Sequence, residues 1–231
     1  MTQSYNAQQS ALDTLLTWYD RLRNLLIGKK TEWQAIIQTQ EDIRGPGSYL
    51  RRPNYYELRV QAYLALSQGA RGIISYIYGS LLPPSPPSGP VAPSSAFKPQ
   101  SATAISGEQG LVVYDASTGT RRRWEFVKGG SILPFTNVAN LNAELAPLGP
   151  TIRKLSVNGA FSNTSIPTND IGIRTVSGDK IEIGTFNTIV PGTGVQYFML
   201  VNRVCNNQDL TISSPQTDTV RFLSSSSQEV V

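Results

Sequence analysis

Apolar residues recur every three or four positions near the start of the chain, at Leu12, Leu15, Leu16, Tyr19, Leu22, Leu25 and Leu26. That period gathers them on one stripe of an α-helix, predicted over residues 8–27 and ending at Gly28-Lys29-Lys30. The stripe needs a sheet or another helix to cover it. Thr31 to Gln40, with Trp33, Ala35, Ile36 and Ile37 at its centre, then reads as a strand of a parallel sheet. Helical spacing returns with Leu58, Ala62, Ala65 and Leu66 and closes at Gly69, a natural C-cap. The next run, Gly72-Ile73-Ile74-Ser75-Tyr76-Ile77-Tyr78, is apolar and rich in β-formers, and Gly79 ends it. Helix, strand, helix, strand in succession is the order of an α/β unit.

The pattern breaks at residues 81–106, where Pro83, Pro84, Pro86, Pro87, Pro90, Pro93 and Pro99 alternate with Ser, Gly and Ala. Such a segment cannot build a core and is expected to be an extended, polyproline-rich loop. Order resumes at Leu111 to Tyr114 and Trp124 to Val127, followed by a helix over 137–147, and Pro147 with Pro150 closes the α/β part. Beyond Thr151 the period becomes two. Short strands are predicted at 152–157, 171–176, 180–186, 195–204, 210–213 and 220–223, between turns rich in Asn, Gly, Pro, Ser and Asp. Ser177-Gly178-Asp179 is a hairpin candidate, and the strand set suits an antiparallel sandwich. The predicted division is 1–149 for the α/β part and 150–231 for the all-β part.

Composition narrows the chemistry. The 231 residues include no histidine, which removes Ser-His-Asp and Cys-His catalysis, His-ligated zinc and imidazole bases. Carboxylate chemistry survives. Cys205 is the single cysteine and cannot form an internal disulfide; closing an apolar strand, it reads as a small buried residue. The net charge of +4 is dispersed. Its one dense cluster, Arg121-Arg122-Arg123, lacks the wide basic stripe with interleaved aromatics that nucleic acid would demand, so it reads as a solvated loop. Gly28-Lys29-Lys30 lacks the spacing of a phosphate loop, and no dinucleotide fingerprint is present, so no cofactor is expected. No secretory signal or membrane-length apolar run is read, and localisation stays open. Asn163-Thr164-Ser165 has the form of a glycosylation acceptor.

Glu57, Arg59, Tyr63, Ala65, Leu66, Gly69, Ala70, Gly72 and Ile73 form a helix-turn-strand that resembles the end of the (β/α)8 barrel in retaining glycoside hydrolases of the β-galactosidase and cellulase type. Residues 138–148 are similar to the final barrel helix of those enzymes, and 196–203 to a strand of the β-sandwich that follows it. The resemblance implies an α/β plus all-β chain: a partial (β/α)8-barrel-like segment followed by an antiparallel β-sandwich. A complete barrel takes about 250 residues, so the chain is expected to hold the closing part alone, as a fragment, a split-gene product or a degenerate relative.

Glycoside hydrolysis needs two carboxyl groups, about 5 to 5.5 Å apart for retention or 6.5 to 9.5 Å for inversion. In the resembled enzymes these stand at the ends of strands four and seven. Strand seven here would end Ile37-Gln38-Thr39-Gln40-Glu41-Asp42, with glutamine in place of the nucleophile and acids one and two positions later. An amide is neither nucleophile nor proton shuttle. Glu41 and Asp42 are therefore the candidate catalytic residues, set against a plainer role as loop carboxylates paired with Arg44, Arg51 or Arg52. Gln38, Gln40, Tyr76 and Tyr78 are the candidate substrate-binding residues, the tyrosines offering a surface for sugar stacking or else filling a core. Glu57 reads as a helix-capping acid. The implied function is that of a glycoside hydrolase-like protein, a fragment or inactive by itself. The alternative is a non-enzymatic carbohydrate- or protein-binding module. Carbohydrate is the expected partner, with a homo-oligomer or a missing barrel segment to cover exposed edges. Neither nucleic acid nor membrane is expected.

Overall fold

A computed structural model describes residues 2–29, 31–39, 41–45, 48–50, 53–76, 79–81, 107–109, 112–115, 120–123, 134–168, 172–188, 195–204, 207–214, 222–223 and 229–230. The proline-rich segment, Cys205, Gln40 and Tyr78 lie outside them.

Three helices, α1 (Thr2–Leu26), α2 (Tyr55–Ser67) and α3 (Pro134–Leu145), are set among short strands. Between α1 and α2 come β1 (Gln34–Gln38), β2 (Glu41–Gly45) and β3 (Ser48–Leu50). Between α2 and α3 come β4 (Gly72–Tyr76), β5 (Gly79–Leu81), β6 (Gly107–Gln109), β7 (Val112–Asp115) and β8 (Thr120–Arg123). Two helical turns, Ala146–Leu148 and Gly149–Ile152, lead into β9 (Leu155–Ser162), β10 (Thr175–Val176), β11 (Ile181–Thr188) and β12 (Gln196–Asn202). The last strands are β13 (Ile212–Ser213), β14 (Phe222–Leu223) and β15 (Glu229–Val230). The fold is mixed α/β, and among the described residues the strands close into no barrel.

Backbone contacts gather the chain into two compact units: residues 1–35, 59–73 and 144–231, and residues 36–58 and 74–143. In the first, β11 is the middle strand of an antiparallel sheet, with β12 on one side and β9 on the other. Both faces of β11 are buried from Ile181 to Phe186. One face belongs to a cluster built on Ile173, Val176, Ile181 and Ile183, joined by Phe161, Phe198, Leu200 and Ile212, so the β10–β13 pair contributes to its cover. The other face is helical territory. Tyr19, Leu12, Leu15 and Leu16 of α1 pack with Leu64 and Ala65 of α2, with Ala35 and Trp33, and with Met199 and Val201 of β12. Tyr19 and Trp33 meet ring to ring at 5.4 Å, and burial pushes the Tyr19 hydroxyl up to about 12.

Helix α2 reaches the sheet through glycine. Its end is a Schellman turn: Gly69 N–H donates to the Leu66 carbonyl and Ala70 N–H to the Ala65 carbonyl, both at 2.9 Å. Gly69 holds φ +97°, a left-handed value that favours glycine. On β11, Gly184 lies so close to the helix that a Cβ there would fall 2.8 Å from Ser67 Cα. Opposite Thr185 and Phe186 the register with β9 skips Asn158, a bulge.

The segment Ser177-Gly178-Asp179 does turn, with Gly178 at φ +104° and Lys180 at +50°. It does not make a hairpin, because β10 pairs with β13 while β11 pairs with β9 and β12. A local turn signal carries no information on which strand lies alongside.

In the second unit, the start of α2 is a capping box. Asn54 Oδ1 accepts from Glu57 N–H at 3.0 Å, and Glu57 Oε2 accepts from Asn54 N–H at 2.8 Å, which is the capping role expected of Glu57. Ile37, Leu58 and Leu141 are fully buried. Strand β2 pairs antiparallel with β3 and β6; β7 pairs parallel with β5 and antiparallel with β8.

Candidate functional site

Strands β1 and β4 form a pair whose hydrogen bonds advance together: Arg71 N–H donates to the Trp33 carbonyl at 2.8 Å, and Thr39 N–H to the Tyr76 carbonyl at 2.7 Å. The strands are therefore parallel. A Cβ on Gly72 would lie 3.2 Å from Gln34 Cγ, which sets positions 34 and 72 side by side. Alternation along each strand then brings Ile36 beside Ile74 and Gln38 beside Tyr76, all on that same face.

This arrangement joins two of the residues singled out for substrate binding. Gln38 and Tyr76 stand at the C-terminal ends of adjacent parallel strands; Gln38 is half-buried and Tyr76 is 43% exposed. Thr39 fixes that end: buried, it adds a second hydrogen bond from its hydroxyl to the Tyr76 carbonyl at 2.9 Å. The face they share is apolar and open to solvent, with Ile36 62% and Ile74 44% exposed, whereas Ala35 and Ile37 on the opposite face are buried.

Glu41 and Asp42 follow in β2, not at the end of β1. The register sets Glu41 opposite Gln109, and Asp42 opposite Leu50 of β3 and Glu108 of β6. Gln40 and Tyr78 lie outside the described residues. Among the described residues no group of three or more His, Cys, Asp or Glu is placed to hold a metal, and no helix is long and apolar enough to cross a membrane.

The polar residues of the helix-turn-strand motif have structural partners. Arg59 Nε donates to Glu144 Oε1 and Oε2 at 3.0 and 2.9 Å, its second terminal nitrogen donates to Oε1 at 2.6 Å, and the Tyr63 hydroxyl donates to Oε1 at 2.8 Å. This bidentate tie binds α2 to the end of α3. Asn163 is engaged likewise: its Nδ2 donates to the Gly178 carbonyl at 2.8 Å, and its Oδ1 accepts from Ile181 N–H at 3.2 Å. Glycosylation of that nitrogen would break the turn it holds.

A second constellation, absent from the sequence expectations, lies inside the first unit. Glu182 of β11 is 1% exposed; Gln68 Nε2 donates to its Oε1 at 2.8 Å, and its Oε2 has no partner among the described residues. The Gln68 side-chain oxygen accepts from Arg23, which also donates to Asp20 at 2.9 Å. Arg203, 7% exposed, donates to Asp13 Oδ1 at 2.6 Å and leaves its Nε unpartnered among the described residues. Burial pushes the Glu182 carboxyl up to about 7, against the pull of Arg203 and Arg23 and with a push from Asp20. An Ile-Glu-Ile run looks like a strand with one wet face; only Gly184, two residues on, signals that a backbone comes close there.

No family model, no curated protein and no solved structure matches this chain.

Proposed function

We propose that the chain is a glycoside hydrolase-like protein that holds carbohydrate at the C-terminal ends of a parallel strand pair and does not cleave it by itself. The observation that supports this best is the pairing of Gln38 with Tyr76 on the open face of β1 and β4. In α/β folds, ligands gather beyond the carboxyl ends of parallel strands. A tyrosine ring there stacks on the apolar face of a sugar, and an adjacent amide exchanges hydrogen bonds with hydroxyls. The amide can neither attack the anomeric carbon nor carry its proton, and a single phenol does not supply the pair of carboxyl groups that hydrolysis ordinarily uses. On this reading β1 and β4 correspond to strands seven and eight of a barrel-like layer and α3 to its last helix. β9 to β13 correspond to the sandwich.

The exposure of Ile36 and Ile74 beside Tyr76 favours a second reading, a structural module whose open face is covered by protein. Parallel pairs are ordinarily covered on both faces, so a second copy or a further barrel segment suits this surface.

Calorimetric titration of the purified chain with cello-, xylo- and galacto-oligosaccharides, with reducing ends measured in parallel, tests the proposal. Binding without new reducing ends is expected, weakened about tenfold or more by Tyr76→Ala and by Gln38→Ala. A folded chain that binds none of these sugars overturns the carbohydrate reading and leaves the protein-binding one. Turnover abolished by Glu41→Gln or Asp42→Asn overturns the non-catalytic half.

A further inference from the structure

Helix α1 is seated on a polar layer, buried at Arg23, Gln68, Glu182 and Arg203 and half-exposed at Asp13, Asp20 and Lys180, as well as on apolar contacts. From α1, Asp13, Asp20 and Arg23 enter this layer, with the Tyr19 hydroxyl in the adjoining apolar cluster. The C-terminal end of α2 contributes Gln68. From β11 come Glu182 and, from the turn before it, Lys180, whose ammonium lies 3.4 Å from Asp13. Arg203 follows β12. Ser162 of β9 and Val201 of β12 occupy the positions flanking Glu182 and carry no charge.

The cations in this layer already have carboxylates. Arg203 and Lys180 share Asp13, and Arg23 is held by Asp20 and the Gln68 oxygen. Glu182 has a single hydrogen bond from a neutral amide, and its second oxygen is sealed from water without a partner among the described residues. An ionised carboxylate in that position pays desolvation with little return, whereas the neutral acid fits it. We propose that Glu182, with Gln68 and Arg203, forms a pH-sensitive latch: α1 docks tightly while Glu182 is neutral and loosens when it ionises. The proposal is independent of any sugar-binding role.

The direction of the effect is fixed by linkage. The Glu182 carboxyl titrates near 7 in the folded chain and at its ordinary 4.5 when unfolded. Between those values the folded state holds a proton that the unfolded state has released, so stability falls as pH rises. The contribution is complete below the unfolded value and lost as pH climbs through the folded one. Across that window the opening equilibrium shifts by about tenfold per pH unit.

Hydrogen exchange of the full chain, followed by mass spectrometry over α1 and corrected for the intrinsic pH dependence of exchange, reads the latch. Protection of residues 11–26 is expected to drop about tenfold between pH 6 and pH 8, and to stay level in Glu182→Gln. Equal pH dependence in both proteins, or protection that rises with pH, overturns the proposal. Should the variant fail to fold, carbon NMR titration of the Glu182 carboxyl in the unmodified chain decides: a midpoint near 7 supports the latch, and one in the ordinary carboxylate range overturns it.

Discussion

Glu144 shows how a single side chain can hold two helices. Its carboxylate accepts three hydrogen bonds from Arg59 and one from Tyr63, and its side chain is mostly buried. Truncation removes the acceptor of these four hydrogen bonds, so Glu144→Ala is expected to cost about 2 kcal/mol. Tyr63→Phe removes one bond and should cost about 1 kcal/mol. Urea unfolding checks both, and a cost below a few tenths of a kcal/mol for Glu144→Ala would contradict the tie. The Arg59 and Tyr63 spacing was legible in the sequence as part of a motif. Their partner was not, because Glu144 lies more than eighty positions away and nothing local points to it. Glu182 was illegible for a related reason: its face of β11 is buried by docking of the helices, while the opposite face is covered by the cluster around Ile181 and Ile183, so the strand's own alternation does not show it. Gln38 and Tyr76, by contrast, could be placed within strands from sequence, since Thr31 to Gln40 and Gly72 to Tyr78 both read as apolar β runs.

At the scale of elements, the three helices and β1, β4, β7, β9, β11 and β12 follow the two periods of the hydrophobic pattern, whereas Arg121-Arg122-Arg123, read as a solvated loop, lies in β8, and β2, β3, β5 and β6 fall outside the pattern. The capping box at Asn54 and Glu57 fixes where α2 begins, and Asn54→Ala is expected to lower stability by about 1 kcal/mol in the same unfolding experiment. Pairing partners escaped the pattern: β10 finds β13 rather than β11, a choice set by the shared cluster of Val176 and Ile212. Two glycines separate close approach from ordinary space. At Gly184 an added methyl meets Ser67 backbone, which cannot move aside cheaply, while at Gly159 the nearest atom is Thr185 Oγ1 at 3.6 Å. Gly184→Ala is therefore expected to cost about 3 kcal/mol or more, and Gly159→Ala less than about 1 kcal/mol. Comparable melting temperatures for the two variants would refute the close packing of α2 on β11.

At the scale of the whole molecule, hydrophobic pattern alone distinguishes a helix-rich first part from a strand-rich last part. It does not reveal that α1, α2 and β12 share one apolar cluster, because the contacts join residues as distant as Leu12 and Val201. The proposed function rests on a smaller feature, the parallel β1–β4 pair with an amide and a phenol side by side at its end. The most direct measurement is nitrogen-edited NMR of the labelled chain during oligosaccharide titration. Shifts that converge on Gln38, Thr39 and Tyr76, and vanish in Tyr76→Ala, are the predicted result. A spectrum in which those three resonances stay still, whether or not others move, would contradict a carbohydrate site at the strand ends.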